Sequence, residues 1–478
     1  MRFILVLLTL ILSQEIVFAG VVIRSLEDAI DVGLRNNKDL RAKLLDVASA
    51  DANMRGALSD LLLPSVNATL RFTTLDPVTL ERAVAKVSTF KFVTNIIGTN
   101  VVVSPQVEEK TVTNAFWDNY SAGISVGYRL PYLLPFGLDV GYNAYRLQVK
   151  NKELAELQYQ KALNEYIYNV RIAYYNYLFA KEFSKITIDT DKRLEENVRI
   201  AEANFRSGIF SDLELIRARV QLVNNKPNLF SSQNNLKLQK ANLLVLLGID
   251  VSEIDNVEIE GDINYIKRDF SNITINFDEE KKKVMENNID LKILRKVIEV
   301  SESSKDISLG SNKPIISLFF NFNYEFKKTN NLDNERVWVD SWNAGVQLTI
   351  PISDLLPVSK SYANMESADY SIEKAKYNYV NTLNLILLQF EQSKLRFNES
   401  LQNIQAQEAN VQQARRSLEI ISSRYRFGNA SSLDLIDAQL AYQQAEVNLL
   451  SAWVSYVNNI LTIKRLTGEG FLFTSEKK

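Results

Sequence analysis

The amino-acid sequence predicts a mixed, mainly α-helical protein with a smaller β component, built by internal duplication. One ungapped motif occurs twice, as residues 205–218 and as residues 425–438, and its register continues to Gly248 and Gly468 respectively. In each copy, alternating strand-like segments precede a helical pattern that is too long for a globular core. The shared order and the shared motif predict two repeats, each with strands and a long helical hairpin closed by a glycine turn.

The composition restricts the functions that the chain can have. Among its 478 residues there is no Cys and no His, which excludes disulfides, thiol catalysis and the commonest transition-metal ligands. No catalytic residue, metal site or cofactor is expected, and an enzyme is the weakest of the functions considered. The formal net charge of -2 provides no basic surface for a nucleic acid.

Residues 1–19 have the pattern of a secretory signal peptide. Arg2 supplies a positive charge, residues 3–12 form an apolar run, and a small-residue cleavage site ends at Ala19. Export is therefore expected, and a chain without Cys is not expected to become a lipoprotein. No later segment has the roughly 18 to 20 apolar residues of a membrane-spanning helix, so strands would have to cross any membrane.

The rest of the chain divides where the two repeats correspond. The first repeat opens with a helix capped by Ser25 and interrupted at residues 36–40, and residues 287–291 repeat that interruption. Between the repeats, the residues are polar and have no clear period, so an irregular segment is expected. The predicted parts are a first repeat at 20–248, a connecting segment at 249–277, a second repeat at 278–468 and a tail at 469–478.

Four segments alternate between apolar and polar residues, as half-buried strands do. They are residues 64–74, 120–131, 314–326 and 341–351. Their length suits a tilted strand that crosses a bilayer, although a small soluble antiparallel sheet would show the same period. Because a closed barrel needs about eight strands, strands of this chain in a membrane would require an oligomer. Residues 75–118, between the first two strands, are expected to form an outward-facing loop that is ordered in part, because residues 90–97 and the run Val101-Val102-Val103 are apolar.

A long helix with coiled-coil spacing follows each pair of strands. The predicted helices span residues 138–205 and 358–425, and each would reach roughly 100 Å at 1.5 Å per residue. Tight turns at residues 205–212 and 425–432 lead into the returning helices. Pro227 falls inside the first returning helix and is expected to kink or break it.

These features together resemble the TolC-like outer-membrane efflux protein family, the outer membrane factors. The resemblance rests on the signal peptide, the duplicated order of elements and the repeated motif Phe/Tyr-x-x-Gly-x-x-Ser-x-Leu-Glu/Asp-Leu-Ile-x-Ala, and it extends from Ser25 to Gly468. It implies a homotrimer in which four strands from each subunit close a twelve-stranded β-barrel in outer-membrane lipid. The long helices would continue this barrel as a periplasmic α-helical coiled-coil barrel.

The resemblance also implies a function as the exit duct of a tripartite efflux pump or a type I secretion system. The implied partners are a periplasmic adaptor protein and an inner-membrane transporter, and the implied location is the outer membrane of a Gram-negative-type cell. The main alternative is a secreted or surface coiled-coil scaffold or adhesin without channel activity. A porin-like uptake channel is a further alternative, but so much helix favours a duct that crosses the periplasm.

In the resembled family, the two turns dock on helical hairpins of the adaptor. The matching residues here are Arg206, Ser207, Gly208, Ile209, Phe210, Arg426, Phe427, Gly428, Asn429 and Ala430. Glycine suits such turns because it adopts positive φ and allows a partner to approach the backbone closely. In the alternative interpretation, Gly208 and Gly428 serve only as helix ends.

An acidic pair follows the second turn. Asp434 and Asp437 share a helix face at i, i+3 spacing, and they match the acidic pair at the periplasmic constriction of the family. In a trimer, these carboxylates would form a ring that favours cations, whereas a solvated helix start explains Asp434 alone equally well. The first repeat has Glu214 and Arg217 instead. We expect them to contact the second hairpin near Tyr425 or Asp437 and to hold the entrance closed.

Overall fold

The structure, a computed structural model, describes residues 22–62, 72–73, 86–87, 92–96, 99–108, 119–129, 140–271, 273–310, 315–328, 336–349 and 359–468. The helices are α1 (Leu26–Asn36), α2 (Lys38–Leu62), α3 (Val140–Arg206), α4 (Asp212–Leu246), α5 (Ile263–Phe270), α6 (Phe277–Asn287), α7 (Ile289–Gly310), α8 (Lys360–Arg426) and α9 (Ser432–Thr467). The strands are β1 (Val22–Ile23), β2 (Phe72–Thr73), β3 (Lys86–Val87), β4 (Phe92–Ile96), β5 (Thr99–Glu108), β6 (Asn119–Arg129), β7 (Glu258–Ile259), β8 (Ile315–Lys328) and β9 (Arg336–Thr349). The predicted signal peptide and the tail at 469–478 lie outside the described residues.

Contacts within the chain divide it into two compact units. One comprises Met1–Lys43, Gln160–Ile289 and Leu383–Lys478, and the other comprises Leu44–Tyr159 and Asp290–Thr382. Each unit takes residues from both sequence repeats. The compact units therefore do not coincide with the repeats, because each repeat contributes part of its length to each unit.

Both repeats open with a pair of helices joined at a single residue. Ser25 caps α1, since its hydroxyl oxygen accepts a hydrogen bond from the amide of Asp28 at 3.2 Å. Asn37 separates α1 from α2 and caps α2 through its side-chain oxygen. Asn288 occupies the same place between α6 and α7, and its amide donates to the carbonyl of Leu466 at 3.0 Å. The predicted cap and both predicted interruptions are present.

The long helices have nearly the predicted limits. Helices α3 and α8 each contain 67 residues, and they start and end within a few residues of the predicted 138–205 and 358–425. The returning helices α4 and α9 contain 35 and 36 residues. No helix in the described part of the chain combines the length and the hydrophobicity needed to cross a membrane.

Pro227 does not break the first returning helix, so that part of the expectation is wrong, while a kink at the proline stays a prediction. Helix α4 continues through Pro227, which removes only the hydrogen bond to the carbonyl of Val223. Just before the proline, the side chains of Asn225 and Lys226 both bind Asp191 of α3, at 3.2 and 2.8 Å. These contacts fasten α4 to α3 at the turn where the backbone bond is lost.

The connecting segment 249–277 is more regular than its composition indicates. Strand β7 pairs in parallel with β1, and α5 buries Ile263, Ile266 and Phe270 on one face. The hydroxyl of Tyr456 donates to the carbonyl of Phe270 at 3.1 Å, which fastens the end of α5 to α9. The expectation of an irregular segment is corrected here, because an amphipathic period of only eight residues is hard to recognise in sequence.

One antiparallel sheet has the strand order β4-β5-β6-β8-β9. Strands β6, β8 and β9 correspond to the predicted strands 120–131, 314–326 and 341–351. The pairing of β8 with β9 runs from Ile315 opposite Thr349 to Lys328 opposite Arg336. The sheet joins the strands of the two repeats where β6 of the first pairs with β8 of the second.

The first strand pair is described only in part, since residues 63–71 and 74 lie outside the described residues. Strand β5, within the predicted loop 75–118, pairs with β6 over its whole length, from Thr99 opposite Tyr128 to Glu108 opposite Asn119. Of the predicted strand 64–74, only β2 is described, and β2 pairs with β3 outside this sheet. The pairing of β5 agrees with the order expected around Val101-Val102-Val103, because β-branched residues favour strands.

Candidate functional site

The two glycine turns have the same backbone conformation. Gly208 has a φ of 76° and Gly428 a φ of 74°, in the left-handed region that favours glycine. The amide of each glycine donates to a carbonyl three residues earlier, that of Phe205 in the first turn and Tyr425 in the second, at 3.0 Å in both. These bonds close the ends of α3 and α8, so the turns themselves require glycine.

The helices that leave the two turns start differently. The side chain of Ser211, before α4, makes no capping hydrogen bond. Ser431, before α9, forms a capping box with Asp434, in which each residue's backbone amide donates to the other's side chain, at 3.2 and 3.0 Å. Hydrogen bonds from the hydroxyl and the amide of Ser431 lower the pKa of Asp434 below its ordinary value. Asp434 is therefore an ionised carboxylate that is already bound to the start of its own helix.

Asp437 has a different environment from Asp434. Its side chain is exposed, and it makes no hydrogen bond or ion pair with any residue that the structure describes. Both carboxylates lie in the first two turns of α9, as their spacing predicts. In the described part of the chain, only Asp434 takes part in capping the helix. Its position at a helix start therefore explains Asp434 but does not explain Asp437.

Three contacts join the two turns within one chain. The rings of Phe210 and Tyr425 lie 4.9 Å apart between centroids, and a Cβ on Gly428 would lie 2.8 Å from Cγ2 of Ile209. An Oε2 atom of Glu214 accepts a hydrogen bond from the backbone amide of Ser432 at 2.7 Å. We call these residues the tip cluster: Ile209, Phe210, Glu214, Tyr425, Gly428 and Ser432.

Glu214 links the first repeat to the second through a backbone group. Its Oε1 accepts from Arg217 at 3.2 Å, while its Oε2 satisfies one of the free amides at the start of α9. The structure therefore places Glu214 on the amide of Ser432, and shows no hydrogen bond from it to Tyr425 or Asp437 in the described residues. Arg217 pairs with Glu214 on the same helix.

Tyr425 is the most deeply buried side chain of the tip cluster. It is 1% exposed, and its hydroxyl has no hydrogen-bond partner within the described residues. Burial, together with the charge of Glu214, raises the pKa of Tyr425 to about 12. A groove of about 330 Å³ between α3, α8 and α9 borders this tyrosine and Gln439. Tyr425 is consequently a neutral phenol at physiological pH.

The predicted docking residues lie mostly at the surface. Phe210 and Ala430 are partly buried against a hydrophobic core cluster that includes Tyr425, and the remaining eight are exposed. Phe427 is 77% exposed and Ile209 58% exposed. Arg206 and Arg426 are exposed and form no ion pair in the described part of the chain.

Two residues of the site were missed by the sequence reasoning. Ser431 could have been found, because Ser-x-x-Asp before an apolar run is the signature of a capping box. Ser432 could not, because it takes part through its backbone amide, which any residue would supply. The described residues contain no group of three or more side chains that could hold a metal ion.

The fold and the site define a duplicated protein whose two long helical hairpins meet at paired glycine turns. The sequence matches the outer membrane efflux protein family over residues 29–249 and 282–469, which include nearly all of both repeats, so the chain belongs to this family. Family membership supports an efflux duct over a secreted scaffold. No curated protein sequence matches the chain.

Solved structures share the fold. The CmeC outer membrane channel of Campylobacter jejuni is 19% identical, with a TM-score of 0.67, covering 94% of this chain and 87% of that one. The outer membrane protein VceC of Vibrio cholerae is 15% identical, with a TM-score of 0.69, covering 93% and 96%. The open-state MtrE channel of Neisseria gonorrhoeae is 15% identical, with a TM-score of 0.65, covering 93% and 88%. At these identities, the likeness shows the fold alone.

Proposed function

We propose that this chain is the outer-membrane exit duct of a tripartite efflux pump or a type I secretion system. It passively conducts cargo that a periplasmic adaptor and an inner-membrane transporter deliver. The observation that carries the proposal is the pair of long helical hairpins whose glycine turns meet in one tip cluster, in a chain matched to the efflux family over both repeats. Its location is the outer membrane, with the hairpins in the periplasm.

The functional unit that we propose is a homotrimer. An apolar stripe on α4 supports association, because its residues are 47% to 66% exposed and follow one another at coiled-coil spacing. The stripe contains Leu213, Ile216, Val220, Val223 and Phe230. A helix of another copy of the chain would cover this stripe. Closing a barrel with four strands per subunit likewise requires further copies.

The constriction of the duct is proposed to lie at the start of α9. Three copies of Asp434 and Asp437 would surround the axis there and favour cations over anions. Glu214 binds the second hairpin through the amide of Ser432, Arg217 pairs with Glu214 on the same helix, and Tyr425 packs against a ring of the first turn. Together these three residues would keep the entrance closed.

The test is to purify the protein in detergent, measure its mass by native mass spectrometry and record its conductance in planar bilayers. The expected result is a trimer that forms cation-preferring pores, with Asp434→Ala and Asp437→Ala together reducing the preference. If the chain without its first nineteen residues is soluble without detergent and forms no pores, the proposed function as a duct is wrong and a scaffold is favoured. Pores with unchanged selectivity in the double variant would remove only the ring assignment.

A further inference from the structure

The groove between α3, α8 and α9 has the size of a small-molecule site. Its volume is about 330 Å³, near the lower end of the range of about 300 to 1,000 Å³ that such sites occupy. Both repeats line it, because α3 belongs to the first repeat and α8 and α9 belong to the second. Part of its surface is apolar and consists of Ile200, Leu418 and Leu435, which we call the apolar wall. The groove therefore suits a small organic molecule better than a protein segment.

Two buried polar atoms beside the groove have no partner. Tyr425 is 1% exposed and Gln439 is 7% exposed, and both residues line the groove. The hydroxyl of Tyr425 and the side-chain oxygen Oε1 of Gln439 make no hydrogen bond with any described residue. Buried polar atoms of this kind are rare and costly, so they indicate a partner that the chain itself does not supply. The phenol can donate and Oε1 can accept, so a ligand with both an acceptor and a donor would satisfy them.

The corresponding positions of the first repeat lack this polar pair. Phe205 stands where the second repeat has Tyr425, and it has no hydroxyl. Arg219 stands where the second repeat has Gln439, and its guanidinium is paired with Glu202 at 2.7 Å. A requirement common to both hairpins would not explain unpartnered polar atoms in the second repeat alone. The polar pair is thus a feature that the second repeat has acquired or kept separately.

The groove also carries an excess positive charge. Three of the charged side chains that line it are each close to a residue of opposite charge: Lys192 to Asp189 at 3.6 Å, Arg193 to Glu446 at 3.9 Å and Glu196 to Arg199 at 2.6 Å. Arg426 lines the groove as well, is exposed, and forms no ion pair in the described part of the chain. A guanidinium binds a carboxylate through two parallel hydrogen bonds, so Arg426 favours an anionic ligand of this type.

We propose that this groove binds a small organic carboxylate that also carries a hydrogen-bond donor. The carboxylate lies between the guanidinium of Arg426 and the hydroxyl of Tyr425, the donor lies against Oε1 of Gln439, and the apolar body covers the apolar wall. Side-chain adjustments that bring such groups onto a ligand are common on binding. The bound molecule contacts α3, α8 and α9, so it joins the first hairpin to the second.

The test uses the full-length protein in lipid nanodiscs, with hydroxyphenylpropionate as the probe, because it combines a carboxylate, a phenolic donor and an apolar body. Isothermal titration calorimetry is expected to show saturable binding of one molecule per subunit. Binding should raise the thermal unfolding temperature, since the ligand prefers the folded chain. The corresponding amide has no charge and should bind at least about tenfold more weakly. Phenylpropionate lacks the donor and should bind several-fold more weakly, because Gln439 then stays without a partner.

Variants of the groove test the two groups assigned to the carboxylate. Arg426→Gln is expected to weaken binding of the probe at least about tenfold and to leave binding of the amide unchanged. Arg424→Gln is its matched control, because it removes the same charge two residues away on α8, outside the groove, and should change affinity less than about twofold. Tyr425→Phe should weaken binding several-fold without lowering the unfolding temperature of the free protein, because the hydroxyl that it removes has no partner in the described residues.

Several outcomes would overturn the proposal. One is the absence of saturable binding by the wild type, and another is equal affinity for the carboxylate and the amide, which would show an apolar groove without anion recognition. Equal losses from Arg426→Gln and Arg424→Gln would mean that the probe responds only to the general charge of this end of α8. Wild-type affinity in Tyr425→Phe would overturn the position of the carboxylate. None of these results bears on the proposed duct, which is tested separately by pore formation.

Discussion

At the scale of single residues, the acidic pair after the second turn divides into two tasks. Asp434 accepts hydrogen bonds from the amide and the hydroxyl of Ser431, at 3.0 and 2.7 Å, and so belongs to the start of α9. Asp437 is exposed and has no partner in the described residues. Sequence spacing groups the two carboxylates, but the structure assigns only the first to the stability of the helix.

This division predicts unequal effects on ion preference. Asp437→Asn should reduce the cation preference of the pore more than Asp434→Asn, because Ser431 holds the Asp434 carboxylate against the start of α9, where the positive end of the helix dipole offsets part of its field. The measurement is the reversal potential in a salt gradient across a planar bilayer. Asp212→Asn, which removes an exposed acid at the start of α4, serves as the control for general charge. An equal or larger effect of Asp434→Asn would contradict the assignment.

The capping box also predicts a pH dependence of stability. Ser431 lowers the pKa of Asp434 in the folded chain, so folding favours the ionised form. This stabilisation is present above the unfolded value of 3.8 and is lost as the pH falls through the lower folded value. The difference in thermal unfolding temperature between the wild type and Asp434→Asn should therefore shrink on acidification from about pH 7 to about pH 3. A difference that stays constant over that range would exclude this origin.

At the scale of elements, polar contacts between the helices of the first hairpin compensate for Pro227. Asp191 is buried, and its two oxygens accept from Asn225 and Lys226 immediately before the proline. The buried amide of Asn225 depends on this acceptor, since an unpaired polar group inside a protein is costly. The hairpin can therefore carry a proline in a helix that would otherwise be weakened there.

Removing this acceptor should destabilise the hairpin. Asp191→Ala is expected to cost about 1 to 3 kcal/mol in the free energy of unfolding, because it leaves the amide of Asn225 without a partner. Asp189→Ala, two residues earlier on the same helix, removes only an exposed ion pair with Lys192 at 3.6 Å and should cost less than about 0.5 kcal/mol. Urea unfolding followed by circular dichroism compares the two. Similar costs for both variants would mean that the buried cluster adds nothing beyond a surface ion pair.

The elements whose limits the sequence predicts best are the long helices. The 67 residues of α3 and α8 repeat an apolar pattern many times, so their limits follow closely from it. Helix α5 has only eight residues, too few for a clear period, and it is ordered by packing its apolar face in the core. Strand β5 is indicated locally by its run of valines, but its pairing with β6 is not. The duplication of the motif is enough to locate the two turns in the sequence. The hydrogen bond of Glu214 to Ser432 is not predictable in this way, because it joins the two repeats through a backbone amide, which any residue would supply.

At the scale of the whole molecule, duplication has produced two hairpins that depend on each other. Each compact unit is assembled from both repeats, and the tip cluster joins the two turns by a ring contact, a glycine contact and one charged hydrogen bond. The two copies have diverged within this shared arrangement. The first supplies the carboxylate that caps the second, and the second supplies the buried tyrosine, so neither copy of the turn is complete alone.

This dependence predicts how the entrance of the proposed duct would be opened, if the tip cluster keeps it closed as proposed above. Glu214→Ala removes the only hydrogen bond between the two hairpins within the tip cluster and leaves the amide of Ser432 without its acceptor, so the hairpins should separate more readily. We expect the mean conductance of single pores to rise several-fold, without a change in trimer mass. Asp212→Ala removes a nearby exposed carboxylate that makes no such contact and should leave conductance unchanged. If Glu214→Ala conducts like the wild type, the cap on α9 stabilises the helix but does not hold the entrance closed, and the closing contact must lie between subunits.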